Sequence, residues 1–111
     1  MDDPHDPVAA IRGLKSDFLR GSGKRLATID AQLARLKESP GDRAALQSLR
    51  SELRALASLG RASGFPKVSR LAQEGDSRCG RVAKVASPDD VAAWESLAAE
   101  IRSELSETPG S

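Results

Sequence analysis

Aromatic residues make up only 3% of this 111-residue sequence: two Phe, one Trp and no Tyr. That is too few for the stacking platforms on which single-stranded nucleic acids are held. One histidine, His5, and one cysteine, Cys79, are present. A Ser–His–Asp or Cys–His system in the core is therefore excluded. An internal disulfide is impossible, and a zinc site lacks its ligands. Net charge is nearly absent too: 17 Lys+Arg oppose 16 Asp+Glu, for a formal +1. Such a balance gives no general basis for nucleic-acid binding. No apolar run reaches the length of a membrane span. The opening "MDDPHDP" is acidic and proline-broken, unlike a signal peptide. With a single cysteine, these features point to a cytoplasmic chain. Glycines cluster at 21–23 and 60–64, but neither cluster follows a strand or ends in the Lys-Ser/Thr of a phosphate loop. The sequence supports no enzyme active site and implies no metal or other cofactor.

What is there is a helical palette of Leu, Ala, Val and Ile in a chain long enough for one modest core. Apolar residues recur at helical spacing, without strand-like alternation. Ile11, Leu14 and Phe18 are followed by Leu26, Ile29, Leu33 and Leu36. "GSG" at Gly21–Gly23 interrupts this run, which reads as two helices or as one long helix with a soft joint; the preferred division is a short extra N-terminal helix followed by a longer one. "SPGD" at Ser39–Asp42 is a start signal, with a capping Ser, Pro in the first turn and an acidic side chain for the free amides. Leu46, Leu49, Leu53 and Leu56 then mark one face, ended by Gly64 and Pro66. A shorter helix uses Val68, Leu71 and Ala72 and fades around Gly75–Gly80. "SPDD" at Ser87–Asp90 opens the last helix, where Val91, Trp94, Ala98, Ile101 and Leu105 follow one another by 3, 4, 3 and 4. Capping accounts for Asp89–Asp90 better than acid–base chemistry does. Cys79 reads as a small filler near a helix end.

Helices with one apolar face and short connections pack as an antiparallel bundle. The expected fold is all-α, an antiparallel four-helix bundle over residues 8–106. Residues 1–7 are expected to form a disordered tail and residues 107–111 a C-terminal tail or linker. Leu46, Leu49, Leu53, Leu56, Trp94 and Ile101 are the expected core.

One face is asymmetric. At 100° per residue, Arg43, Arg50, Arg54 and Arg61 share a narrow sector roughly a quarter-turn from the leucines of the same helix. Gln47 and Ser58 border it. The plainest account is a solvated flank, its arginines paired loosely with acids of a neighbouring helix. Four arginines on one line also suit an acidic partner surface, because the planar guanidinium matches carboxylates and phosphates and stays charged. No aromatic residue interleaves them, which argues against nucleic acid.

"LRALASLGRASGF", from Leu53 to Phe65, has the cadence of a phosphotransfer helix, and the order of elements from "SDFLR" through "PGD" to "GF" agrees. Over roughly residues 8–106 the chain resembles bacterial histidine phosphotransfer (HPt) domains. Leu56, Ala57, Gly64 and Phe65 fit the family's pattern. Arg54 stands where the phosphate-carrying histidine belongs, Ser58 replaces the usual small glycine, and Leu59 replaces a common small residue. The resemblance implies a four-helix bundle and a face that docks receiver domains. It cannot imply transfer, because a guanidinium is always protonated and is no nucleophile, whereas an imidazole is one near neutral pH.

The expected function is a non-catalytic pseudo-HPt module of two-component signalling. It would dock a receiver domain or histidine-kinase component through Arg43, Gln47, Arg50, Arg54, Ala57, Ser58 and Arg61, with no nucleic-acid or membrane partner. The alternative is a structural or oligomerisation bundle, a homodimer that buries the arginine stripe. A third possibility, His5 as phosphoacceptor, suffers from an acidic, broken context without a rigid supporting shell.

Overall fold

Four helices follow one another: α1 (Pro7–Glu38), α2 (Arg43–Ala62), α3 (Pro66–Arg81) and α4 (Pro88–Ser106). They belong to a computed structural model that describes residues 7–106, with side-chain environments from residue 13 onward. Residues 1–6 and 107–111, and with them His5, lie outside the described residues; Pro7, expected in the N-terminal tail, opens α1. The helices form an antiparallel four-helix bundle. α1 and α3 each pack against both α2 and α4, and among the described residues the backbones of the diagonal pairs stay apart. Lys37–Glu95 and Asp30–Arg102 tie α1 to α4 with opposite chain directions.

The expected break in the first segment does not occur: α1 runs unbroken through Gly21–Gly23. Ser22 is buried, and its Oγ donates to the Phe18 carbonyl one turn back at 2.6 Å. The two glycines face open space, where a Cβ would meet nothing within 4 Å. Each costs about 1 kcal/mol of helix propensity. Packing of Phe18, Ser22 and Leu26 on the inner face outweighs that cost. The start of α2 is also corrected. Ser39 does not cap it and Pro40 is not in its first turn; both lie in the connecting turn. Asp42 is the cap, its carboxylate accepting from the Ala45 amide at 3.0 Å. That choice follows from distance, since only Asp42 sits one residue ahead of the first helical residue.

Inside α2 the buried line is Ala45, Leu49, Leu53, Leu56 and Gly60. Leu46, expected in the core, is only partly buried against its edge. Gly64 takes φ +86°, the left-handed conformation that ends the helix. The Phe65 amide then reaches back to the Gly60 carbonyl at 2.7 Å. Phe65 stacks on Phe18 of α1, with centroids 5.0 Å apart, so the chain's two phenylalanines fasten the α2–α3 turn to α1. The start of α4 matches expectation: Ser87 Oγ accepts from the Asp90 amide, and the Asp90 carboxylate accepts from the Ser87 amide. The Ser87 amide, with Arg78 beside it, holds the Asp90 carboxyl below the usual range.

Contrary to the expected fading, α3 continues through Gly75 to Arg81. Gly75 is where three helices meet. A Cβ there would stand 2.9 Å from Leu53 Cδ1 of α2, and the Gly75 carbonyl accepts from Trp94 Nε1 of α4 at 3.1 Å. Leu49, Leu53, Leu56, Trp94 and Ile101 are all buried, as expected.

Leu53→Ala should cost about 2–5 kcal/mol, the range for truncating a buried leucine. Gly75→Ala should cost about 1–3 kcal/mol by overpacking against the same side chain. Because each change relieves the other, the double variant should lose less than the sum of the two. Urea denaturation of the three variants checks this, and strict additivity would place Leu53 elsewhere.

Candidate functional site

The arginine sector of α2 lies on the flank that borders α3. The inner edge of that flank is set by Ala57, which is partly buried and whose carbonyl accepts from Ser69 Oγ of α3 at 2.8 Å. Ala57 therefore faces the neighbouring helix more than solvent. Gln47, Arg54 and Ser58 are exposed and, with the exposed Ser51, form the outer crest of the helix. Ser51 and Ser58 beside Arg54 on this crest are short, and the Arg54 side chain is largely exposed.

The four arginines do not behave alike. Arg50 Nε donates to Asp76 Oδ1 of α3 at 2.7 Å, and Arg54 Nε donates to the same oxygen at 3.1 Å. The Arg50 side chain is 38% exposed and that of Arg54 61%, while Asp76 is 25% exposed. Arg43 and Arg61, at opposite ends of α2, are exposed and make no ion pair among the described residues. Eighteen residues of helix separate them by about 27 Å. The pairing of arginines with an acid on a neighbouring helix is therefore real for the central two and absent for the outer two.

Asp76 and Gly80 were not singled out from the sequence. Asp76 follows Gly75, against which Leu53 of α2 packs, and this packing brings its carboxylate to the flank of α2. Gly80, one turn later, makes room for the Arg50 guanidinium: a Cβ there would stand 3.2 Å from Nη2. The legible signal was the spacing Gly75–Asp76–Gly80 within an otherwise helical stretch, which reads equally as helix fraying.

Arg54 commits one of its five N–H donors to Asp76, and its outer fork makes no other hydrogen bond among the described residues. Cys79, one residue before Gly80, is buried; burial, aided by Asp76, pushes its thiol up to about 12. Such a thiol is no nucleophile at neutral pH. Among the described residues no group of three His, Cys, Asp or Glu side chains could hold a metal ion, and no helix is long and apolar enough to cross a membrane. Compared with models of known families, with curated proteins and with solved structures, the chain matches none.

The Cys79 thiol should resist Ellman's reagent at pH 8 in the folded protein and react fully in denaturant. A rapid native reaction would show that the α3 segment carrying Asp76 and Gly80 opens readily.

Proposed function

We propose that the protein is a non-catalytic docking module, a pseudo-HPt domain that binds a receiver domain or a histidine-kinase component through the crest of α2. The observation that carries this is Arg54: an exposed side chain in mid-helix, flanked on the crest by Ser51 and Ser58, where the resembled family presents its histidine. A receiver's phosphorylation pocket is a cluster of carboxylates, and a guanidinium can enter such a cluster with bidentate hydrogen bonds. Its charge does not depend on any cellular pH. Once there it competes with magnesium and with phosphorylation of the receiver. Docking then replaces transfer. Arg43 and Arg61 lie on either side of this point, where exposed charges mainly raise the encounter rate and its sensitivity to salt, whereas Arg50 is paired with Asp76. Gln47 and Ser58 permit close approach along the crest.

Calorimetric titration against the receiver domains of the same organism, with and without magnesium, tests this. Arg54→Ala should weaken binding by about 2–5 kcal/mol, because the partner's carboxylates lose their buried counter-charge. Arg54→Glu should abolish it, and Arg50→Ala should cost much less. Affinity unchanged in Arg54→Ala would end the docking role of this residue. A concentration-dependent dimer that buries the stripe would instead favour a structural bundle.

A further inference from the structure

Asp76 is chemically the same kind of group as the carboxylates that the docking face is proposed to recognise, and it already holds Arg54. We infer, resting on the docking role above, that Asp76 is a stowage site: it keeps Arg54 against α3 in the free protein, and docking moves Arg54 from Asp76 to the partner while Arg50 stays behind.

The two arginines are held unequally. Arg50 makes the shorter contact, 2.7 Å against 3.1 Å, and is the less exposed of the pair. Its guanidinium also lies against the Gly80 backbone, which leaves no space for even a methyl group at normal contact distance. Arg54 has one hydrogen bond and no such wall. Arg54 is therefore free to leave and Arg50 is fixed.

The cost of leaving is small for a specific reason. A mostly buried carboxylate stripped of its only cation is expensive, because its charge stays desolvated and unpaired. Asp76 escapes this, since Arg50 continues to neutralise it after Arg54 departs. What remains is the loss of one exposed ion pair, worth roughly a two- to fivefold change in affinity. The device sets a threshold: a single carboxylate offers Arg54 nothing that Asp76 does not, whereas a pocket with several carboxylates outbids it. The partner class is thus a clustered polycarboxylate pocket, and isolated surface acids are rejected.

The opposite geometry, in which Asp76 positions Arg54 for docking, predicts effects of the opposite sign. Affinity is read for the receiver domain that binds the parent chain, with magnesium removed. Asp76→Asn keeps the side-chain shape and should tighten binding by about two- to fivefold. Arg50→Ala should weaken binding by a similar factor, because Asp76 then has only Arg54 and holds it back. In the Asp76→Asn background Arg50→Ala should cost almost nothing. Unchanged or weaker binding by Asp76→Asn overturns the inference, as does an equal cost of Arg50→Ala in both backgrounds, which would make Arg50 an independent rim charge. A second arm needs no protein partner. Inorganic phosphate is titrated into labelled protein while the Arg54 Nε–H resonance is followed by NMR. Asp76→Asn should lower the half-shifting phosphate concentration by the same factor; no change overturns stowage. If no receiver binds the parent chain while the phosphate arm gives its expected shift, the docking role fails and the stowage of Arg54 stands.

Discussion

The contact between Leu53 of α2 and Gly75 of α3 fixes the distances on which the exposed face depends. Leu53 fills the space that any side chain at position 75 would need, so the two helices come together more closely there than a residue with a Cβ would allow. Trp94 closes the junction from the third side through its hydrogen bond to the Gly75 carbonyl. Asp76, the next residue, is thereby delivered to the flank of α2. Arg50 stands three residues before Leu53 and Arg54 one after it, so both reach one carboxylate oxygen. The apolar core and the charged surface are consequences of the same contact.

The energetics of the two layers differ in kind. The junction is buried and dry, and its interactions are counted in whole kilocalories per mole, as large-to-small changes in other cores show. The arginine–aspartate pairs are half in water, where ion pairs contribute little to stability. Weak pairing is a disadvantage for a scaffold and an asset for a recognition surface, because it can be exchanged for a partner's groups without unfolding anything. Surface bridges exposed on both sides, such as Lys37–Glu95, add little beyond orientation.

Much of the fold was legible in the sequence because its cues are local. Apolar periodicity located most of the inner faces, although Leu14 of α1 is exposed and Leu46 of α2 only partly buried, and Ser87–Asp90 announced a helix start that forms as written. Gly64 and Pro66 marked the end of α2: Gly64 supplies the positive φ and Pro66 opens α3, while Phe65 between them meets Phe18. Glycine caused the misreadings. At Gly21–Gly23 local propensity suggested a joint, yet the buried Ser22 and its neighbours belong to one continuous inner face. At Gly75 the same cue suggested fraying where the residue is the tightest point of packing. Ser39 was credited with a cap that Asp42 supplies from one residue before the helix. The arginine stripe was legible as a line but not as a set of unequal members, because the acid that divides them sits on another helix and 22 residues from Arg54.

Amide chemical-shift mapping offers the most direct test of a docking face centred on α2. The labelled chain is titrated with a receiver domain free of magnesium. Perturbations should concentrate on Gln47, Arg50, Arg54 and Ser58 and extend across to Asp76 and Gly80 on α3, leaving α4 quiet. Perturbations centred on Leu14 of α1 and Leu59 of α2, exposed apolar side chains on the flank that α2 shares with α1, would contradict the account and assign recognition to a different face.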